Sequence, residues 1–184
     1  HGLVLACRAM PLSDCEISPL DQDEVVSHPH RTMSGQIQKI SKVTHDITAI
    51  KVAVLDGAPL SFSPGQYVTL TFPGLPARDF SMANLPGEDL LEFHIRQISD
   101  GKVSNHVFDK LKIGDSLKAE GPHGISYLRD LHRGPIIAVA GSTGFAPIRS
   151  IVNTALKIGM KQSIYVYFGV RNQRDLYCNE ELIN

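Results

Sequence analysis

A change of hydrophobic period at Gly134-Pro135 constrains this chain more than any other feature. Upstream of it, between Gly35 and about Leu131, apolar residues alternate with polar or smaller ones: Ile50, Val52 and Val54, then Val68, Leu70 and Phe72, then Leu91, Phe93 and Ile95. A period of two turns one side of each segment to a core and the other to solvent, which predicts half-buried antiparallel strands. Turn residues separate the runs at Asp56-Gly57, Ser63-Pro64-Gly65, Pro73-Gly74, Pro86-Gly87 and Ile113-Gly114-Asp115. One segment breaks to a helical period, with Val103, Val107, Phe108 and Leu111 on one face. Many short strands and one short helix predict a small closed β-barrel over residues 35–133.

Downstream the grammar is different. Ile136 to Ala140 is a continuous apolar run, the mark of a strand buried on both faces in a parallel sheet. A Gly141-Ser-Thr-Gly144 turn follows, and then Ile148, Ile151, Val152, Ala155 and Leu156 fall at helical spacing. That pattern predicts an amphipathic helix with Pro147 near its first turn and Gly159 just past its end. A second apolar strand runs from Ile164 to Val170. Strand, glycine turn, helix and strand predict the start of an α/β nucleotide-binding domain over residues 134–184, without its later strands.

Both ends of the 184-residue chain read as cut: it opens at His1-Gly2 without Met and stops at Asn184 in a polar stretch, so a fragment is expected. Residues 1–20 hold a short apolar strand candidate with Cys7 and Cys15. Residues 21–34 turn to acid, His, Pro and Ser, with little apolar material to offset ordering entropy, and read as a linker. Charge narrows the partners. With 18 basic and 19 acidic side chains and no long basic run, the chain lacks the attraction that nucleic acids or anionic membranes require. No apolar run approaches the roughly 20 residues that cross a bilayer, and the N-terminus lacks a signal-peptide layout. Three widely spaced cysteines argue against a disulfide framework and a self-contained zinc site. A cytoplasmic protein with no nucleic-acid or membrane partner is expected.

Two segments can carry chemistry. Glycines at 141 and 144 let backbone N–H groups turn toward a phosphate, and the following helix aims its positive end at the same point. No Gly-Lys-Ser/Thr follows, and the spacing is not Gly-x-Gly-x-x-Gly, so taken alone the turn reads as a tight connection. In Arg78-Asp79-Phe80-Ser81, an Arg fork can take phosphate, a ring can cover a flat heterocycle, and a hydroxyl can bond a ring nitrogen. The plainer reading is a surface Arg-Asp pair beside a core Phe. His28 and His30 have the look of a metal pair but no third ligand nearby in sequence, so they read as solvated linker. His45, His106, His123 and His132 read as surface or edge residues, and no Ser-His-Asp or Cys-His constellation is evident.

Seven strings then occur in order: Ser63-Pro-Gly-Gln-Tyr67, Arg78-Asp-Phe-Ser81, Phe93-His-Ile-Arg96, Gly101-Lys-Val-Ser104, Gly121-Pro-His-Gly124, the turn from Gly141 to Pro147, and the stretch from Gly169 to Tyr177. Together they resemble the ferredoxin-NAD(P)+ reductase superfamily, and within it the reductase components of naphthalene-type aromatic-ring dioxygenases. The resemblance covers nearly all of residues 35–184 and implies a six-stranded antiparallel Greek-key barrel that binds FAD, followed by the start of an NAD-binding domain. Arg78 would hold the FAD diphosphate, Phe80 would stack on the isoalloxazine, and Ser81 would hydrogen-bond flavin N5. His94, Ile95 and Arg96 would line the flavin edge and ribityl chain. Gly101, Lys102, Val103 and Ser104 would present N–H groups and a hydroxyl to the diphosphate. The family usually carries Tyr where this chain has Phe80; stacking survives the change and the hydroxyl's hydrogen bond is lost.

On the nucleotide side, the resemblance places Gly141, Ser142, Thr143 and Gly144 against the pyridine nucleotide, with Thr143 close to the nicotinamide. It also places Arg171 and Asp175 in the adenosine-ribose region. Arg171 and Arg174 offer cations for a 2′-phosphate, yet the resemblance favours NADH over NADPH. The stretch Val4 to Cys7 resembles the tail of a plant-type [2Fe–2S] ferredoxin domain, where Cys7 would be the last of four thiolate ligands. The other three are absent, so the cluster is expected only in a complete parent protein, and Cys15 has no assigned role. The implied activity is hydride transfer from NADH to FAD, with Phe80, Ser81 and Thr143 at the reacting centre. Single electrons would then pass to an iron–sulfur centre and on to a ferredoxin or the oxygenase component of a dioxygenase. Two other readings stand beside it: a flavin-binding electron relay without NADH oxidation of its own, and a reductase serving a di-iron monooxygenase or a deoxysugar pathway.

Overall fold

The computed structural model describes residues 26–178. Six strands form one antiparallel sheet: β1 (Arg31–Lys42), β2 (Ile47–Val54), β3 (Tyr67–Thr71), β4 (Arg78–Ser81), β5 (Leu90–Arg96) and β6 (Ser116–His123). They lie in the order β4-β3-β6-β1-β2-β5. The last strand thus inserts between the first and the third, as a Greek-key crossover requires. Helix α1 (Lys102–Asp109) occupies the connection from β5 to β6 and buries Val103 and Val107. The two edges meet through the chain after β4: the Ala83 N–H donates to the Glu92 carbonyl at 2.8 Å, and the Glu92 N–H donates to Asn84 Oδ1 at 3.0 Å. The sheet is therefore a nearly closed barrel.

Alternation decides what fills it. Ile50, Val52, Val68, Leu70, Leu91, Phe93 and Ile95 project inward from three strands and pack with Met33, Ile37, Phe72 and Met82 in one buried cluster. These β-branched and aromatic residues suit a pleated, half-buried surface. Gly65 marks a tight approach. Its φ is +110°, and a Cβ there would meet the Ser126 carbonyl at 2.6 Å, so the turn before β3 admits only glycine.

Beyond the barrel, β7 (Ile136–Gly141) pairs in parallel with β8 (Ile164–Gly169). Between them a 3-10 turn (Ser142–Gly144) leads into α2 (Phe145–Lys157). Pro147 lies in the first turn of α2, and Gly159 follows the C-cap with φ +74°, as the sequence predicts. A second cluster of Ile47, Ala140, Phe145 and Tyr177 fastens this unit to the barrel, since Ile47 belongs to β2. Its rings are ordered, with Phe145 stacked on Phe168 at 4.6 Å and Tyr177 edge-on to both.

Three expectations change. β7 was expected to be buried on both faces, but Ile137 and Val139 are 70% and 71% exposed while Ala138 and Ala140 are buried, because only one face of β7–β8 has partners among the described residues. In α2 the buried stripe is Phe145, Ala146, Ser150 and Ala155, and Leu156 is exposed. The reason is a polar anchor: the Ser150 hydroxyl donates to the Asn84 carbonyl at 2.6 Å, which turns the helix. Finally, Arg31 to Ser34 of the expected linker form the start of β1, because Met33 enters the core and the segment pairs with β6. Cys7, Cys15 and the expected ferredoxin remnant lie outside the described residues. No helix among the described residues is long and apolar enough to cross a membrane.

Candidate functional site

Two clefts hold most of the residues singled out by the sequence. The first, about 470 Å³, opens between β4, the end of β5 and the start of α1, and is lined by Arg78, Asp79, Phe80, Ile95, Arg96 and the segment from Gly101 to Ser104. Gly101 is the N-cap of α1, and no side chain caps the first turn, so its N–H groups are open at the end where the helix dipole is positive. The Arg78 guanidinium donates to the Ala77 carbonyl at 2.8 Å and makes no ion pair among the described residues. Asp79 is turned away from it, accepting a hydrogen bond from the Thr69 hydroxyl at 2.6 Å. The plain reading of an Arg78–Asp79 pair is therefore not what folds. Phe80 is half-buried and packs against the barrel core from the rim. Ser81 ends β4 opposite Tyr67 and is also half-buried.

Two residues depart from their expected roles. The Ser104 hydroxyl donates to the Gly101 carbonyl at 3.2 Å and accepts from the Ile98 N–H at 3.1 Å, so its one proton serves the loop and is not offered to the cleft. The His94 ring is buried on the opposite side of β5, against the nucleotide-type unit. Its Nδ1 lies 3.1 Å from the Tyr177 hydroxyl and its Nε2 3.2 Å from Glu92 Oε1. Alternation accounts for this position: Ile95 points into the barrel, so His94 must point out of it.

The contacts of His94 belong to a charged cluster that the sequence did not reveal. Glu92 meets Lys51 at 3.2 Å and Arg149 at 3.4 Å, and Arg149 also donates to the Ala83 carbonyl at 3.0 Å. Burial pushes the Glu92 carboxyl up, but the hydrogen bond to His94 and the charges of Arg149 and Lys51 outweigh it and hold the group at about 2. Burial pushes the Tyr177 phenol well above its ordinary range. The cluster joins β2, β5, α2 and the segment after β8 that carries Tyr177.

The second cleft, about 330 Å³, is lined by Asp46, Arg96, Gly141, Ser142, Arg171 and Asp175, together with Gly169 and Val170. Arg96 lines both clefts and is fixed by Asp46, whose Oδ2 accepts from its Nε at 2.7 Å. Burial raises the Asp46 carboxyl, but hydrogen bonds from Arg96 and Thr44 and the Arg96 charge bring it below its ordinary value. Asp175 accepts from the Asn172 N–H at 2.9 Å in a capping box, and His45 Nδ1 is 3.5 Å from its other oxygen. Ser142 has φ +50°, an unusual conformation for a residue with a Cβ. Thr143 and Gly144 stand in the same turn but outside the cleft lining. Gly141 and Gly144 have φ of −121° and −60°, which any residue adopts, and a Cβ on either would meet nothing within 4 Å. The fold does not demand glycine at these two positions; glycine leaves room there for something to approach.

Asp46, Glu92 and Arg149 were missed by sequence reasoning. Asp46 had the one available signal, the turn composition of Thr44-His-Asp46, and that signal specifies a loop rather than a partner.

The sequence profile of the oxidoreductase FAD-binding domain family matches residues 34–128, and that of the oxidoreductase NAD-binding domain matches residues 138–184. The reductase component of the naphthalene 1,2-dioxygenase system of Pseudomonas putida, a ferredoxin–NAD(P)+ reductase, is 46% identical over 97% of this chain and 54% of its own length. The propane 2-monooxygenase reductase component of Gordonia sp. (strain TY-5) is 34% identical over 99% of this chain and 54% of that protein. Among solved structures, an Amycolatopsis cytochrome P450 reductase superposes with a TM-score of 0.80 at 34% identity, over 97% of this chain and 55% of the other. The chain thus spans about half the length of the curated relatives it matches. The FAD-binding profile covers just over half of the chain, most of it the antiparallel barrel, and the chain belongs to the oxidoreductase FAD-binding domain family.

Proposed function

We propose that this chain is the flavin- and nucleotide-binding portion of a reductase that takes electrons from NADH through FAD to an iron–sulfur centre, supplying a ferredoxin or the oxygenase component of a ring-hydroxylating dioxygenase. The observation that carries the reading is the position of Arg96 between two clefts: one has a diphosphate-type lining of Arg78 and the open first turn of α1, the other a glycine turn with room for a ligand. Residues 35–133 are then the flavin domain and residues 134–184 the first part of the nucleotide domain.

The residues fit the ligand. Arg78, unpaired among the described residues, and the free N–H groups of the α1 first turn suit a diphosphate. Phe80 gives a flat apolar surface at the rim, and Ser81 sets a hydroxyl at the end of the same strand. A bound flavin supplies the conversion of a hydride's electron pair into two single-electron transfers. The protein's part is position and charge. Gly141 and Gly144 keep the start of α2 clear for a second diphosphate. The Asp175 carboxylate suits ribose hydroxyls, Arg171 in the same cleft suits a phosphate, and the preference for NADH over NADPH rests on the family resemblance. Asp46 fixes Arg96 where the two clefts meet.

Anaerobic stopped-flow mixing of NADH with the FAD-reconstituted chain tests this. Rapid bleaching of the flavin band, slowed in Ser81→Ala with FAD retained and abolished through FAD loss in Arg78→Ala, is the expected result. A colourless chain that cannot be reconstituted overturns the reading. Retained flavin that does not bleach at saturating NADH reduces it to an electron-relay module.

A further inference from the structure

Folding supplies the third ligand that the sequence lacked around His28 and His30. The two imidazoles part company. His28 is held between the Ser61 and Ser63 hydroxyls, each 2.9 Å from a ring nitrogen. His30 turns to β6, where one donor atom from each of His30, Glu120 and His123 lies within 4.8 Å of the others. His30 Nε2 is 3.9 Å from Glu120 Oε1, and the two imidazole rings are 4.9 Å apart.

Strand register brings these groups together. Glu120 and His123 are three residues apart, and an unbroken strand would set them on opposite faces. Against β3, however, His123 is opposite Tyr67 and Glu120 is opposite Thr69, so β6 takes three steps where β3 takes two. The extra residue is a bulge, which reverses the alternation and turns both side chains to one side. His30 stands one step before β1, whose Arg31 and Thr32 pair with Gly121 and Glu120.

A second observation concerns His123 itself. Its Nε2 is withdrawn from solvent and has no hydrogen-bond partner among the described residues. A buried ring nitrogen left so is costly, and a bound cation would give this imidazole the partner that no neighbouring side chain offers. Two imidazoles and one carboxylate are the donor set of zinc sites with three protein ligands and an open fourth position. Metal–ligand bonds of roughly 2.0–2.2 Å set tetrahedral donors about 3.3 Å apart, and small side-chain rotations close the present spacing to that value. Lys118 lies 3.5 Å from the other Glu120 oxygen, Oε2, and is well exposed, which leaves Oε1 for the metal.

We propose that His30, Glu120 and His123 bind a divalent first-row cation, zinc by preference, which fastens the segment before β1 to the bulge of β6. The site is separate from both clefts and does not depend on the reductase reading.

The full chain, stripped with a chelator and dialysed, is titrated with Zn²⁺ against a chromophoric competitor and with Co²⁺ as a spectroscopic probe. One equivalent binding with a tetrahedral cobalt spectrum and no thiolate charge-transfer band is expected. That signal is lost in His30→Ala and in Glu120→Gln, whose side chains are exposed or half-exposed and leave the core intact, and it persists in His28→Ala. Unchanged stoichiometry in His30→Ala, a thiolate band, loss in His28→Ala, or no binding by the wild-type chain overturns the proposal.

Discussion

Phe93 and Val139 each stand in the middle of a strand, yet the first is fully buried and the second is 71% exposed. Phe93 belongs to a barrel whose sheet curls until its edges meet, so every inward residue finds partners within the same hundred residues. Among the described residues, Val139 belongs to a two-stranded parallel sheet with α2 and the barrel on one face only. Parallel strands with apolar residues on both faces are stable when both faces are covered. The comparison teaches that local sequence reports how many faces a strand is built to bury, and the surrounding structure decides how many are buried.

The largest effect that separates the two regions is a core truncation. Phe93→Ala should cost about 3–5 kcal/mol of barrel stability by leaving a cavity, measured by chemical denaturation; a cost under about 1 kcal/mol would mean the barrel core is loosely packed. Next comes the cluster that joins the regions. Glu92→Gln should cost roughly 2–3 kcal/mol at neutral pH because Arg149 and Lys51 lose a buried counter-charge. The carboxyl is depressed from its ordinary 4.5 to about 2. Its contribution is therefore complete above about pH 4.5 and lost as pH falls toward 2, so the wild-type and Glu92→Gln stabilities should converge on acidification. A constant difference across that range would remove the charge argument.

A smaller effect tests the site rather than the packing. Gly144→Ala should leave thermal stability equal or slightly raised, since φ is −60° and the space is open, while weakening NADH binding about tenfold, or ~1.4 kcal/mol. Equal affinity would show that nothing approaches this turn. Least of all, Val139→Thr should change the stability of this chain by less than ~0.5 kcal/mol, because that face meets solvent. A large loss there would show that the exposed face is covered in solution.

Arg78, Phe80 and the first turn of α1, which the family resemblance assigned to one ligand, line one cleft. His94 lies outside the cleft that Ile95 and Arg96 line and against Tyr177, as the alternation that turns Ile95 inward requires. Other partners were not legible at all. His94 and Tyr177 are 83 residues apart, and Arg96 and Asp46 are 50 apart, so no local pattern couples them. Likewise, His30 meets Glu120 and His123 only because a bulge in β6 breaks the two-residue period on which any reading from sequence relies.

By itself the sequence determined the barrel and the change to strand–turn–helix–strand, because periodicity and turn chemistry act over a few residues and need no distant partner; phosphate roles for Arg78 and the glycine turn came only from the family resemblance. Tertiary structure alone decided which faces are covered, which charges pair across the join, and which histidines meet. Those outcomes depend on sheet register and on loop closure between segments far apart in the chain, where one step of slip turns every side chain to the other face.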